Sequence, residues 1–166
     1  MKKLVSLLAL VATAGGGLTS SAETHHACSG ATIEGSYAFR VSGELFTPAG
    51  LVYRDGIALT HFDGKHTLSQ VDYVLANGVP TAGPTDANGF HTDETGTYTV
   101  HENCTGEAEI DFPTPPEGTS GAVIKLFFVI ADDGRLLNTI VTSITPPNST
   151  VAIPANIHSD ATRVSN

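Results

Sequence analysis

From residue 35 onward, apolar and polar positions alternate with a period of two in short runs, and Gly, Pro, Asn and Asp punctuate them. In Gly35 to Phe46, Tyr37, Phe39, Val41 and Leu45 share one face, with Arg40, Ser42 and Glu44 opposite, as in a half-buried strand. Leu51 to Phe62 and Thr67 to Ala76 predict two more strands around the turn Asp63-Gly64-Lys65. Their register stays open, because loops of two, three and four residues all fit this turn. Residues 77–93 read as a long loop. Thr95 to His101 sets Tyr98 and Val100 against threonines, and Glu102 to Gly106 makes a turn. In Glu107 to Phe112, Ala108, Ile110 and Phe112 point inward, while Glu107, Glu109 and Asp111 face water. Pro113, Pro115 and Pro116 stop that strand, since proline cannot donate to a ladder.

Ala122 to Ala131 is apolar except for Lys125. With Lys125 outward, Ile124, Leu126, Phe128 and Ile130 lie inside and Val123, Phe127 and Val129 outside. Apolar residues on an outer face mean a covering element or a subunit contact, so these three mark a candidate homo-oligomer face. Asp132-Asp133-Gly134 fits a three-residue hairpin loop with Gly134 left-handed. That register places Leu136, Asn138, Ile140, Thr142 and Ile144 on the inner face with Phe128. The last strand, Val151 to about Val164, sets Ile153, Ala155 and Ile157 against Asn156, His158 and Asp160.

The pattern is all-β. Eight antiparallel strands joined by short turns hide their edges best by closing, which predicts a single eight-stranded up-and-down barrel, with a two-sheet sandwich as the rival. An eight-stranded barrel is filled by its side chains or holds one small ligand.

The N-terminus changes the setting. Lys2-Lys3, the apolar run Leu4 to Ala14 and Ser20-Ser21-Ala22 form the three parts of a secretory signal over residues 1–22, leaving 23–166 as one barrel domain. The apolar run is too short to span a bilayer, so no membrane association is expected after cleavage, and the expected location is outside the cell or in the secretory lumen. Formal charge is −9. Without Lys2 and Lys3, six basic residues face 17 acidic ones, giving −11. Such an acidic body argues against nucleic acid as a partner. Export permits a disulfide, and Cys28 and Cys104 allow one connectivity, worth roughly 4 kcal/mol on the chain-entropy model. Asn148 and Asn103 begin acceptor tripeptides for N-glycans, and Asn148 is the less crowded site.

Three segments carry a resemblance. Cys28 to Phe39 (CSGATIEGSYAF), Phe62-Asp63-Gly64-Lys65, and Gly96 to Val100 with Cys104-Thr105-Gly106 resemble small secreted bacterial and fungal proteins related to the allene oxide cyclase-like barrels, within the lipocalin-like architecture. The resemblance spans most of residues 28–145 and rests on turn and core residues. It implies a barrel with an apolar cavity. Relatives bind small hydrophobic molecules or guide cofactor-free cyclisation, in fungi within secondary metabolism. No family catalytic residue maps onto this chain.

No phosphate-cradling loop, dinucleotide fingerprint, nucleophile elbow or His-Glu-x-x-His is present, which takes most of the support from ordinary hydrolysis and phosphoryl transfer. Seven histidines show no spacing that demands a metal, and no metal or cofactor is assigned. Alternation places Tyr37, Tyr98 and Asn138 inside, and Asp72 and His61 join them if the open register turns them inward. A buried polar group without a partner costs about 1–3 kcal/mol, so each must meet protein, water or a ligand. Tyr98, Asn138 and Asp72 are therefore the catalytic candidates. Tyr98 or Asn138 would donate to a substrate carbonyl, and Asp72, its pKa raised by burial, would act as general acid or base. Tyr37, Phe39, His61, Leu126, Phe128 and Ile140 are the ligand-binding candidates. The expected function is a cofactor-independent cyclase or isomerase whose walls fold a small hydrophobic intermediate into one reactive conformer. A non-catalytic carrier and a filled-barrel interaction protein are the alternatives.

Overall fold

The structure, a computed structural model, describes residues 27–113 and 121–165. The signal segment, Pro115 and Pro116 lie outside the described residues. Nine strands follow in order: β1 (Gly35–Thr47), β2 (Gly50–Phe62), β3 (Thr67–Ala76), β4 (Val79–Pro80), β5 (His91–Val100), β6 (Thr105–Asp111), β7 (Val123–Ala131), β8 (Leu136–Thr145) and β9 (Ile153–Ser165). All pairings are antiparallel, and β1 pairs with both β2 and β9 while β2 pairs with β3. Eight strands thus close into a barrel, with β4 an added stub on the end of β3.

The barrel has a closed and an open end, and local sequence explains the closed one. A 3-10 turn, Gly30–Ile33, buries Ile33 completely beneath Tyr37 and Leu137 in the main core. Phe62 stands edge-on to Tyr37 and to Tyr98, with ring centroids 5.5 and 5.1 Å apart. These perpendicular contacts add to the burial of the rings. The Tyr37 hydroxyl donates to the Gly134 carbonyl and accepts from Arg163 Nε at 2.9 Å, and Arg163 also donates to the Thr32 carbonyl. The Cys28–Cys104 disulfide ties the segment before this 3-10 turn, the plug of the closed end, to the β5–β6 turn. A compact turn closes β2 onto β3: Asp63 Oδ1 accepts from the amides of Lys65, His66 and Thr67 at 2.8–2.9 Å. The Thr67 hydroxyl donates to its other oxygen, and these bonds hold the Asp63 carboxyl well below the usual carboxylate range.

Two hairpins differ from expectation by their loops. Ala131 pairs with Leu136, so four residues turn the chain where the sequence suggested three. One residue of register flips every side chain to the other face. Leu137, Thr139 and Val141 therefore point inward, and Leu136, Asn138, Ile140 and Thr142 point outward. A bulge opposite Lys125 and Leu126 then returns Ile144 to the inner wall. Residues 77–93 are not one loop. Asn77 and Gly78, both left-handed, make the two-residue turn that starts β4, and β5 begins at His91 rather than Thr95.

Outside, Phe127 and Val129 are about half exposed and Val123 is half-buried. Ile140, displaced outward by the register change, lies directly opposite Phe127 and widens that apolar face.

Candidate functional site

Above the plug the barrel is hollow. A cavity of about 850 Å³ runs from Phe62, Leu68 and Phe128 towards Val79, Pro84, Pro113, Pro146 and Ile153 at the open end. This lies within the range of small-molecule sites. Most of its wall is apolar: Phe39, Val41 and Leu45 from β1, Ala108 and Ile110 from β6, Leu126 from β7, and Val141 from β8.

One sector, built by β2, β3 and β5, is polar. Pairing of Phe62 with Leu68 turns Thr60, Gln70 and Asp72 inward, together with Arg54 further along β2. Opposite β3, the ladder slips between Gln70 and Asp72, so Gln70 faces Glu94 and Asp72 faces His91. Asp93 takes a φ of 61° at this bulge, and both Glu94 and His91 are buried although they are three residues apart.

The groups form a partly satisfied network. The Thr60 hydroxyl donates to Gln70 Oε1 at 2.7 Å, and Gln70 Nε2 donates to Glu94 Oε2 at 2.8 Å. The His91 Nδ1–H donates to the Pro84 carbonyl at 3.0 Å, and Nε2 lies 3.0 Å from the Thr81 hydroxyl, which fastens residues 81–84 beside the mouth. Arg54 Nε is buried without a hydrogen-bond partner, and neither Glu94 Oε1 nor Asp72 Oδ1 accepts from a neighbouring N–H or hydroxyl, which leaves the two carboxyls to each other. Across the cavity, the Thr139 and Ser159 hydroxyls bond to each other.

Burial pushes the Glu94 carboxyl up to about 8, and the neighbouring Asp72 charge adds to the rise. Burial also raises Asp72, opposed by His91, by a hydrogen bond with Glu94 and by Arg54. Desolvation lowers the Arg54 pKa against the attraction of Asp72. Two carboxyls in a poorly solvated wall disfavour double ionisation, so at neutral pH Glu94 keeps its proton and Asp72 carries the charge. Among the described residues no three His, Cys, Asp or Glu side chains are arranged to hold a metal ion.

The sequence candidates divide. Asp72, Phe39, Leu126 and Phe128 line the cavity. Tyr98 is buried, but in the closed end, where its hydroxyl donates to Asp63 Oδ1 at 3.3 Å. Burial and the Asp63 charge raise its pKa, so it stays protonated. Tyr37 is likewise committed to the plug, against Gly134 and Arg163, with its pKa raised by burial. Asn138 and Ile140 face outward for the register reason given above. His61 faces outward too, its Nδ1 3.2 Å from the Ser36 hydroxyl, because the same pairing that turns Asp72 in turns His61 out. Asn103 and Asn148 are both exposed, and Asn103 Oδ1 accepts from the Thr105 hydroxyl.

Arg54, Gln70, His91 and Glu94 are the residues that sequence reasoning missed. The signal for Glu94 was present: extending the alternation back from Tyr98 through Gly96 reaches it. No protein-family model matches the chain, and no curated protein or solved structure matches it.

Proposed function

We propose that this protein is a secreted, cofactor-independent isomerase or cyclase for a small hydrophobic molecule, with Asp72 as its proton-transfer group, held by Glu94. The observation that carries the reading is a pair of buried carboxyls, hydrogen-bonded to each other in the wall of an apolar cavity, where burial raises the pKa of both. Paired carboxyls with divergent proton affinities are the usual means of running acid and base chemistry at one pH. Asp72, the less buried of the two, takes a proton from one atom of the substrate and returns it to another, while Glu94, fully buried behind it, stays hydrogen-bonded to it and holds it in place. Arg54 supports negative charge developing on a substrate heteroatom, and the apolar walls hold the chain of the molecule in one conformer. The disulfide is compatible with export, and the resemblance read from Cys28 to Phe39 and the two turn segments implies the same class of chemistry.

Native mass spectrometry of freshly purified protein identifies the molecule it carries. Returned to the emptied barrel in deuterated buffer, that molecule should acquire carbon-bound deuterium, and do so at least about 100-fold more slowly with Asp72→Asn. A ligand that binds and is released without deuterium contradicts the acid–base role and leaves a carrier.

A further inference from the structure

The chain keeps its charges away from one end of the barrel. Residues 45–53, 73–85 and 136–157 hold no Asp, Glu, Lys or Arg. The strand order brings the loops inside all three stretches to the open end. Asp86, the first charge after the second stretch, is turned back onto the amides of Asn88 and Phe90. The closed end is the reverse: its three hairpin turns carry Asp63 and Lys65, then Glu102, then Asp132, Asp133 and Arg135.

On the uncharged loops Phe46, Leu51, Tyr53, Val79 and Val151 are between 47% and 71% exposed. They follow one another round the rim. Phe46 pairs with Leu51, and Asn77 of the next turn bonds to the Tyr53 backbone in both directions. On the other side Leu45 pairs with Ala155, just after the loop that carries Val151. Val79 also lines the cavity, so rim and interior are one continuous apolar surface. Exposed apolar residues on the side wall have charges opposite them instead, as Phe127 has Glu107 and Ile57 has Arg40.

We propose that the open end docks, loop tips first, on an uncharged lipid bilayer, with the mouth of the cavity facing the lipid. An exposed apolar ring of this kind marks a contact surface. Phe46 and Tyr53 suit the boundary between lipid and water, where aromatic side chains gather. The three stretches hold no Lys or Arg and the chain is acidic, so nothing draws the rim to anionic lipid, and a zwitterionic layer is the surface it fits. The choice of lipid rests on the reading that the cavity takes up a small hydrophobic molecule: from the bilayer such a molecule enters without crossing water, whereas a second copy set mouth to mouth would seal both cavities. The expectation of no membrane association concerned the signal segment, and this contact is made by loop tips that span nothing. Asn148 lies in one of these loops, so the contact belongs to the chain without a glycan there.

The chain has no Trp, so one substitution makes a reporter. Val151→Trp on the rim and Phe127→Trp on the side wall, each in the chain without residues 1–22, are titrated with phosphatidylcholine vesicles. The emission of Val151→Trp should move to shorter wavelength, and that of Phe127→Trp should stay. The chain with neither reporter should float with these vesicles equally at low and high salt, and Val79→Asp combined with Val151→Asp should weaken flotation at least about tenfold. Both valines are mostly exposed, so the double variant keeps its fold. No flotation, or a shift with Phe127→Trp in place of Val151→Trp, overturns the docking. Binding that requires anionic lipid overturns it too, and a Val151→Trp shift that grows with protein concentration before any lipid is added assigns the rim to a second copy instead. None of these measurements needs a bound ligand, so they stand apart from the deuterium test: flotation without deuterium uptake keeps the docking and removes the chemistry.

Discussion

Replacing Gly134 with Ala should destabilise the barrel by more than about 3 kcal/mol, through a clash that cannot relax and strain at a left-handed position. Gly134 has a φ of 80°, and a β-carbon there would lie 2.0 Å from the Thr32 carbonyl oxygen. That oxygen is backbone of the plug and is itself bonded to Arg163. Nor can the β7–β8 turn swing away without breaking the Tyr37 bond to the Gly134 carbonyl. Gly78→Ala is the control, since Gly78 has nearly the same φ, 81°, but no atom lies within 4 Å of the new methyl. It should cost about 1 kcal/mol. Urea unfolding of the two variants decides the matter, and a Gly134→Ala protein within about 1 kcal/mol of wild type contradicts this account of the closed end.

The second large effect is on pH. Folding raises Glu94 from an ordinary value of 4.5 to about 8. Between those limits the folded protein holds a proton that the unfolded chain has released, so this stabilisation is complete below the lower value and is lost as pH rises through the upper one. Wild-type stability should therefore fall by a few kcal/mol from about pH 5 to pH 8, since each tenfold change in acidity is worth about 1.4 kcal/mol. Glu94→Gln keeps a neutral side chain of the same shape beside Gln70 and should remove most of that fall. Asp72→Asn should also flatten it, because the Asp72 charge is one of the causes raising Glu94. Urea midpoints measured across this range check the sign, and parallel profiles for wild type and Glu94→Gln contradict the burial of a protonated Glu94.

Both effects sit where the sequence was only partly legible. Strand positions could be read from alternation alone, because a wall with one face inward must repeat every two residues, as Ala108, Ile110 and Phe112 do. Closure followed from the short turns. Face assignments, by contrast, hung on single-residue loop lengths. The turn after Ala131 holds one residue more than its Asp-Asp-Gly signal suggests, which exchanges Asn138 for Thr139 on the inner wall. Asp72 could be reached only through the open register of the Asp63 turn. The pairing that settles it depends on three amides converging on one carboxylate oxygen, a tertiary detail no local propensity reveals. Bulges hid the remainder. His91 and Glu94 cannot both face inward in a regular strand, and only the slip opposite Asp72 lets them do so. The polar sector was therefore half visible: Asp72 was named, but its partners were not.

Infrared spectroscopy tests the central claim most directly, because a protonated carboxylic acid and a carboxylate absorb in separate regions. At neutral pH the wild-type spectrum should contain a buried carboxylic acid carbonyl band that vanishes in Glu94→Gln. A spectrum in which every carboxyl is ionised, or an acid band that survives the substitution, would contradict a barrel wall that holds a proton on Glu94.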